Sequence, residues 1–347
     1  MSGSPRAEEP VIFVSAFKSG EEGAIHAYRF DAKNGQLKLL HRTTDVENPF
    51  FMAVSPNRKF LYAIDAKQFG SQENEFVTSY EIEGRGGKLR QLNQQTSRGT
   101  ASCYLDVDAT GKTVVVANYS SGSLASLPVL TDGSLGEIVS FVQNTGSGVN
   151  PQRQKEPHAH SIVISPDNRF VLAADLGIDK ILIFELTPET AEIKPNAVQP
   201  FAELPPGSGP RHLVFHPNGK RVYVINELKN TVTFFDYAIE TGVLTQQQTI
   251  STVPEDFTGI SHTADLKITP DGRFLYGTNR GHDSIAIFRI AEDGHLSLVS
   301  IEPSLGKGPQ NLLITPDGRW LLCANMPGNN VAVFAIDAST GGLKATG

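Results

Sequence analysis

Short segments of alternating apolar and polar residues recur along the whole chain, and pairs of these segments flank tight turns. In the stretch from Arg211 to Glu227, two such segments rich in Val, Ile, Tyr and Phe flank the turn Pro217-Asn218-Gly219-Lys220. Proline presets φ for a turn, and glycine supplies the position that needs a positive φ. Because alternation is the pattern of a half-buried strand, the stretch predicts a β-hairpin with Arg211 and Glu227 together at its open end.

The same hairpin pattern occurs six times, at intervals of 46 to 57 residues. Each hairpin is followed by a third apolar segment, then by a turn that usually contains glycine, and then by a short fourth segment. Four strands in a unit of about 50 residues are typical of a propeller blade. Each unit is numbered from the proline of its turn, or from the residue that takes the place of that proline. These residues are Pro56, Ala109, Pro166, Pro217, Pro270 and Pro316.

A seventh, incomplete unit precedes the six hairpins. Residues 11–17, 24–30 and 36–41 correspond to the second, third and fourth strands of a blade, and no first strand precedes them. The sequence therefore predicts an all-β, seven-bladed β-propeller over residues 11–347, with negligible helix, after a polar tail at residues 1–10. We expect the first blade to lack its innermost strand or to obtain one by an unusual route.

Long loops are predicted at residues 67–76, 141–157, 203–210 and 251–263, on the face opposite the Pro-Asp-Gly turns. Loops above a rigid scaffold commonly carry binding and catalytic residues. The 141–157 loop leads directly to His158 and His160 and carries Arg153 and Lys155. We expect this loop to border the site and its two cations to meet an anionic group of the substrate.

Composition narrows the possible partners. The net charge of −7 argues against non-specific nucleic-acid binding, and the chain contains no apolar run long enough to span a membrane. Residues 1–10 do not resemble a signal peptide. Two cysteines, Cys103 and Cys323, form neither a disulfide framework nor a metal cage, so we expect both to be reduced and buried. The expected protein is cytoplasmic, a monomer or weak dimer, with no nucleic-acid or membrane partner.

Residues at equivalent positions of the six units should do the same structural job, so exceptions in polarity indicate function. Six positions before the turn proline stand Phe50, Cys103, His160, Arg211, Ala264 and Gln310; ten positions after it stand Ala66, Tyr119, Leu176, Glu227, Arg280 and Met326. The readily ionised residues in this set come from three successive units and should meet in one sector of the channel mouth. They are His160, Arg211, Glu227 and Arg280.

Simpler interpretations exist for the members taken singly. An Arg–Glu pair at a hairpin end is usually a salt bridge, and a lone histidine is usually structural. His158 and His160 share a strand face and could bind a metal with His262, but no carboxylate or cysteine stands at ligand spacing, so we favour a structural or hydrogen-bonding role for the pair. The joint placement of the four ionisable residues favours a functional site.

Several motifs resemble those of the lactonase family of seven-bladed propellers, which includes the bacterial propeller-type 6-phosphogluconolactonase and the fungal carboxy-muconate lactonising enzyme. The similarity runs from about residue 11 to residue 342. The chain departs from the family at Gln310, where the family often has Arg, and at Met326, where Gln is common. The family also usually has a further apolar strand after the last fourth strand, and this chain ends before such a strand. The motifs are Glu156-Pro157-His158-Ala159-His160, Asp175-Leu176-Gly177-Ile178-Asp179, Gly209-Pro210-Arg211-His212, Asn226-Glu227-Leu228 and Asn279-Arg280-Gly281-His282-Asp283-Ser284.

The resemblance implies a catalytic site built from the same four residues and hydrolysis of a sugar lactone, foremost 6-phosphogluconolactone to 6-phosphogluconate, without a cofactor. From the chemistry of these side chains we expect His160 or Glu227 to be the general base, Arg211 to stabilise the developing oxyanion, and Arg280 to bind the phosphate or carboxylate. We also expect His158, Arg153 and Lys155 to contact the substrate.

Two other functions fit the sequence. One is a carboxy-cis,cis-muconate cyclase, in which the arginines would hold carboxylates. The other is a non-catalytic propeller that binds a protein partner, although such a platform should present an apolar or mixed surface where this chain presents four convergent ionisable groups.

Overall fold

The computed structural model of the protein describes residues 10–71 and 73–346, so the predicted tail at residues 1–10 lies, apart from Pro10, outside the described residues. Within those ranges the chain forms 28 strands in seven sheets, two short 3₁₀ turns at Gly20–Glu22 and Gly84–Gly86, and no α-helix. The prediction of an all-β, seven-bladed propeller is confirmed.

The blades follow one another along the chain. Blade 1 contains β1 (Val11–Ala16), β2 (Ala24–Asp31) and β3 (Gln36–Thr43); blade 2 contains β4 (Met52–Val54), β5 (Phe60–Asp65), β6 (Phe76–Glu83) and β7 (Lys88–Thr96); blade 3 contains β8 (Ser102–Val107), β9 (Thr113–Asn118), β10 (Ser123–Pro128) and β11 (Ser140–Gln143). Blade 4 contains β12 (Ala159–Ile164), β13 (Phe170–Asp175), β14 (Lys180–Thr187), β15 (Glu192–Pro195) and β16 (Phe201–Glu203). Blade 5 contains β17 (Pro210–Phe215), β18 (Arg221–Asn226), β19 (Thr231–Ala238) and β20 (Val243–Ser251); blade 6 contains β21 (His262–Ile268), β22 (Phe274–Arg280), β23 (Ser284–Ile290) and β24 (Leu296–Pro303); blade 7 contains β25 (Pro309–Ile314), β26 (Trp320–Asn325), β27 (Asn330–Ile336) and β28 (Leu343–Ala345).

Every blade is antiparallel, and outside blade 4 the strands pair in chain order from the channel outwards. The first strands of blades 2 to 7 contact one another around the channel axis. Blade 1 differs, because within the described residues it has three strands and β1 pairs only with β2. Among the described residues, blade 1 is therefore short of its innermost strand, which is one of the two outcomes expected from the sequence.

Blade 4 departs from the predicted four strands because its outer strand is broken in two. Both β15 and β16 pair with β14, at opposite ends of that strand. Pro195 and Pro200 stand at the two sides of the break, and proline has no N–H to donate to a ladder. The interruption therefore lies on the outermost edge of the blade, where a missing pair costs least.

Apolar side chains fill the spaces between neighbouring blades. Three buried tyrosines on second strands also tie one blade to the next, because their hydroxyls donate to glycine carbonyls in the adjacent blade. Tyr223 reaches the Gly294 carbonyl at 2.7 Å, and Tyr62 and Tyr276 make the corresponding bonds at 3.2 and 2.8 Å. This repeated packing makes the ring a rigid support for residues at the channel mouth.

The inner strands share an irregularity that the sequence pattern did not reveal. In blades 3, 4, 5, 6 and 7 the register of the inner hairpin shifts by one residue at, or next to, the position six before the turn proline. Such a β-bulge leaves one residue unpaired and re-aims its side chain. Consecutive residues of one strand, such as Arg211 and His212, can therefore both face the channel.

Trp320 joins the last blade to the first. Its Nε1–H donates to the Ala32 carbonyl at 3.2 Å, and its ring packs edge-on against Phe30 at a centroid distance of 5.8 Å. Gly35 lies against the same ring, at φ 76°, and a Cβ there would come within 2.6 Å of it. Because blade 1 has no described inner strand, these contacts belong to the side-chain packing that joins the two ends of the ring.

We expect Trp320→Ala to lower the free energy of unfolding by about 3–5 kcal/mol, since it removes a buried ring and its hydrogen bond. Phe141→Ala is the control, because Phe141 is 40% exposed on an outer strand and should cost less than about 1 kcal/mol. Urea unfolding followed by far-ultraviolet circular dichroism measures both. Equal losses in the two variants would show that Trp320 does not secure the closure.

Candidate functional site

A pocket of about 220 Å³ opens at the channel mouth on the loop-rich face. This volume is below the 300–1,000 Å³ common for drug-sized ligands and suits a small metabolite. The pocket combines charged residues on one side with apolar residues on the other. It is lined by Phe50, Phe69, Cys103, Tyr119, Arg153, His160, Arg211, Glu227, Arg280, Gln310 and Met326.

Glu227 lies at the centre of the charged residues. It directly follows β18, where the buried Asn226 side chain donates to Thr231 and Thr233 and fixes the end of the strand. Its carboxylate is 4% exposed and contacts three guanidinium groups. Arg153 Nη2 donates to Oε1 at 2.6 Å, and Arg280 Nη2 donates to Oε2 at 2.7 Å.

The ionised form of Glu227 is strongly favoured. Burial alone would raise the pKa of this carboxyl, but Arg280, Arg211 and Arg153 outweigh burial and hold the pKa well below its usual range. Glu227 is therefore an anion at neutral pH and a weak proton acceptor. Its main physical effect is to keep three like charges within one small volume.

His160 lies beside this carboxylate at the bulge of β12. Its Nε2 is 3.8 Å from Glu227 Oε2, which is beyond hydrogen-bond distance, and its Nδ1 is 3.6 Å from Cys103 Sγ. Burial and the nearby Arg211 charge lower the pKa of His160 well below its usual value, so the ring is neutral at pH 7. Burial raises the pKa of the Cys103 thiol, which stays protonated.

Arg211 is the most deeply buried cation of the group, at 1% exposure. Its Nη1 donates to the Ala264 carbonyl and to His212 Nε2, the latter at 3.1 Å. Its Nε lies 3.1 Å from Glu227 Oε2, but the N–H is not aligned with that oxygen, so the pair is ionic without a well-directed hydrogen bond. Burial and Arg280 lower the pKa of Arg211 to about 10, which leaves it charged at neutral pH.

Arg280, at the end of β22, uses most of its donors within the protein. Nε donates to the His262 carbonyl at 3.3 Å, and Nη1 donates to Gln310 at 3.3 Å. Nη2 donates to the Thr263 carbonyl and to Glu227. This side chain is therefore held rigidly, with little capacity left for a ligand.

Arg153 reaches the pocket from the loop between β11 and β12. The neighbouring Gln154 is fully buried and anchors the loop, donating to the Leu176 carbonyl and to Asp179, both at 2.8 Å. Arg153 Nη2 donates to Tyr119 Oη at 3.2 Å and to Glu227. Its Nε and Nη1 have no acceptor among the described residues, and its side chain is 33% exposed. It is therefore the guanidinium best placed to meet an incoming anion.

The structure separates the residues that the sequence singled out. His160, Arg211, Glu227, Arg280 and Arg153 all line the pocket. His158 and Lys155 do not belong to that lining. The His158 ring stacks on Tyr119 at 4.5 Å and shares a hydrogen bond with the Tyr119 carbonyl, while Lys155 is exposed.

Sequence reasoning overlooked the aromatic residues of the pocket. Tyr119 occupies the same repeat position as Glu227, but its side chain is not readily ionised and so does not stand out in the sequence. Phe50 and Phe69 stack at a centroid distance of 4.9 Å, and Phe17 meets both rings edge-on. The repeat position of Phe50 placed it at the mouth, but Phe69 lies in a loop and had no signal of its own.

His158, His160 and His262 do not come together as a metal site. Within residues 10–71 and 73–346, no group of three or more His, Cys, Asp or Glu side chains is arranged to hold a metal ion. Cys103 and Cys323 are both free thiols and both buried, as expected. In the same ranges, no helix has the length and apolarity needed to cross a membrane.

Comparison with known proteins identifies the family. Residues 11–347 match the family described as lactonase, 7-bladed beta-propeller. The chain belongs to this lactonase family. The family resemblance seen in the sequence motifs is therefore confirmed.

Relatives of this lactonase include the 6-phosphogluconolactonase of Bacillus subtilis, 35% identical over 87% of this chain and 84% of the relative. The 6-phosphogluconolactonase of Formosa agariphila is also 35% identical, over 86% and 85% of the two chains. Among solved structures, a putative 6-phosphogluconolactonase from Bacteroides fragilis is 33% identical, with a TM-score of 0.90 over 99% of this chain and 95% of that one. A periplasmic gluconolactonase from Pseudomonas aeruginosa is 33% identical, with a TM-score of 0.89 over 96% and 94%.

The buried histidines should make this lactonase sensitive to mild acid. Burial and Arg211 lower the pKa of His212 to about 3, against about 6.5 in an unfolded chain. The folded state keeps His212 neutral, while the unfolded state takes up a proton. The contribution of His212 to the free energy of unfolding is therefore fully present above about pH 6.5 and is lost as the pH falls towards 3. At pH 5 the loss from His212 is about 2 kcal/mol.

Urea unfolding of the wild type and of His212→Phe at pH 7 and pH 5 measures this contribution. Arg211, Asp265, Tyr104 and His160 surround His212, but the acidic partner Asp265 has a lowered pKa and does not titrate in this window. We expect the difference in unfolding free energy between the two pH values to be about 2 kcal/mol smaller in the variant. The same difference in both proteins would contradict a neutral buried His212.

Proposed function

We propose that this chain hydrolyses 6-phosphogluconolactone to 6-phosphogluconate, the activity for which its Bacillus subtilis and Formosa agariphila relatives are named. The observation that carries the proposal is the cluster of three arginines and one neutral histidine around Glu227 in a pocket of metabolite size. Such a cluster supplies a proton acceptor, donors for an oxyanion and a site for a substrate anion. No cofactor takes part in the proposed reaction.

The geometry favours His160 over Glu227 as the general base. Glu227 is committed to three guanidinium groups, whereas His160 is neutral and its Nε2 has no hydrogen-bonding partner within the described residues. In the proposed step, the oxygen of a water molecule bonds to the lactone carbonyl carbon and His160 takes the water proton. The ring C–O bond then breaks, and the proton passes to the departing ring oxygen.

Arg211 is suited to the negative charge that develops on the carbonyl oxygen. It remains charged at neutral pH, it is held by Ala264 and His212, and its Nη2 has no acceptor among the described residues. A donor fixed before the reaction stabilises the transition state without reorganisation, and removing one such donor typically costs about 10²–10³-fold in rate.

Arg153 is the better candidate for the substrate phosphate, and Arg280 for a supporting role. Arg280 spends its donors on protein groups, whereas Arg153 keeps Nε and Nη1 available at the lip of the pocket. Three guanidinium charges, one carboxylate and a neutral His160 leave a net charge of two positive units, which matches a phosphate dianion. The stacked Phe50 and Phe69 offer an apolar wall to the carbon skeleton.

An assay of three substrates tests the reaction itself. The wild type should open 6-phosphogluconolactone well above the spontaneous rate, should open unphosphorylated gluconolactone with a higher KM, and should not cyclise carboxy-cis,cis-muconate. Muconate cyclisation without lactone hydrolysis would favour the alternative predicted from the sequence. Inactivity towards all three substrates would favour the non-catalytic binding function instead.

Replacing the base tests the chemical step. We expect His160→Ala to lower kcat by about 10²–10⁴-fold with a small change in KM, because general base catalysis acts in the transition state. Glu227→Gln should also lower kcat, since the three arginines lose the carboxylate charge that holds them together. Circular dichroism controls for folding. Near-normal turnover in both variants would mean that the catalytic site lies elsewhere.

Arg153 and Lys155 form a matched pair of cations on one loop. The sequence predicted substrate contacts for both, while the geometry directs only Arg153 into the pocket. Arg153→Ala should raise KM for the phosphorylated lactone about tenfold or more, and Lys155→Ala should leave KM within about twofold. An equal rise in the two variants would point to general electrostatic attraction instead of a specific contact.

The cytoplasmic location, monomeric or weakly dimeric state and lack of a nucleic-acid partner expected from the sequence stay predictions. One similar structure is of a periplasmic gluconolactonase, so the fold itself does not fix the compartment.

A further inference from the structure

A chain of buried hydrogen bonds runs from the pocket into the channel behind it. It begins at Arg211, passes through His212 and ends at Asp265 on the inner strand of the next blade. His212 and Asp265 are 3% and 1% exposed. Neither residue lines the pocket, so we expect neither to contact a substrate directly.

The donors in this chain fix the position of one proton. The two hydrogens on Arg211 Nη1 are directed to the Ala264 carbonyl and to His212 Nε2. Nε2 must therefore accept and carry no hydrogen. Because His212 is neutral, its proton is on Nδ1, which donates to Asp265 Oδ1 at 2.9 Å.

Asp265 is itself held by donors from three directions. Lys267 Nζ lies 2.9 Å from Oδ1 and 2.8 Å from Oδ2, and Oδ2 also accepts from Asn311 Nδ2 at 3.0 Å and from the Leu312 N–H at 2.8 Å. The carboxylate is therefore presented to His212 in one orientation. The equivalent residues of the other blades include no second His–carboxylate pair, since Phe51, Tyr104, Ser161 and Asn311 stand there.

We propose that His212 and Asp265 are positioning residues that hold the Arg211 guanidinium in the orientation needed for catalysis, with Asp265 selecting the Nδ1–H tautomer of His212. A carboxylate that sets a histidine tautomer is familiar where the histidine is a base. Here the histidine offers its lone pair to an arginine, and the arginine acts on the substrate. The inference rests on the proposed lactone hydrolysis and adds two residues to it.

Asp265→Asn should reverse the tautomer. The amide oxygen should take the place of Oδ2, where Leu312 and Asn311 donate, and Lys267 should keep its contact with this oxygen alone. The NH₂ group then faces His212 Nδ1. Nδ1 must then accept a hydrogen bond, so the ring proton moves to Nε2. His212 Nε2–H and Arg211 Nη1–H then point at each other, and neither finds an acceptor there. Arg211 should turn away from its working position, although the charge of Arg211 and the substrate contacts of Arg153 persist.

The first measurement reads the tautomer independently of activity. Two-bond ¹⁵N–¹H spectra of histidine-labelled protein distinguish Nδ1–H from Nε2–H, and the His212 signals are assigned by their loss in His212→Gln. We expect Nδ1–H in the wild type and Nε2–H in Asp265→Asn. An Nε2–H signal in the wild type would overturn the proposal.

The second measurement is the division of the effect between kcat and KM. Asp265→Asn should lower kcat about 10–100-fold with KM within about threefold, because the oxyanion contact is made in the transition state. Asp106→Asn is the matched control, because Asp106 is a carboxylate on the inner strand β8 that accepts from the Val107 and Ile164 N–H groups at 2.8 and 2.9 Å. This variant should leave both constants within about twofold. A tautomer switch with unchanged kcat would reject the positioning role.

A rescue guards against a variant that is merely unstable. His212→Gln puts an amide oxygen close to the place of Nε2, where it can accept from Arg211 without a tautomer to set. We expect His212→Gln to be more active than His212→Phe, and adding Asp265→Asn to His212→Gln to change kcat less than about threefold. A full additional loss in the double variant would show that Asp265 acts by another route. If the wild type had no lactonase activity, the proposed function itself would be wrong. The tautomer spectrum does not depend on activity, so it distinguishes that failure from a failure of the positioning role.

Discussion

The candidate site depends on one buried carboxylate. Three guanidinium groups from three separate segments would repel one another in a space this small, and Glu227 is the anion that makes their assembly possible. Removing one partner of a buried ion pair leaves an uncompensated charge, so the carboxylate and the arginines are interdependent. The position of Glu227 is fixed in turn by the end of β18 and by the propeller ring behind it.

The division of labour among the cations follows from how many donors each one spends on the protein. Arg280 is nearly saturated, Arg211 is held on one side by His212, and Arg153 is tied through a single nitrogen. Identical side chains at similar distances from one carboxylate are therefore not equivalent. The counting of hydrogen-bond donors distinguishes a structural arginine from a ligand-binding one where charge alone does not.

Much of this protein could be predicted from its sequence because the fold is repetitive. The six turns set the blades, and equal offsets from the turns brought Arg211, Glu227 and His160 to one level of the ring. Position in a repeat does not determine side-chain direction within a loop, so the sequence alone does not distinguish Lys155 from Arg153. Phe69 was missed for the same reason, and the broken outer strand of blade 4 followed from local prolines that a repeat average conceals.

The β-bulge of the inner strands has an evolutionary consequence. In blades 3 to 7 it leaves a residue unpaired, so that residue can change without disturbing the pairing of its neighbours. His160, Arg211 and Gln310 occupy this position in three blades and differ completely in chemistry. The side chain at this position can therefore be replaced in one blade at a time, which changes the contacts offered to a substrate while the paired strands of the propeller keep their arrangement.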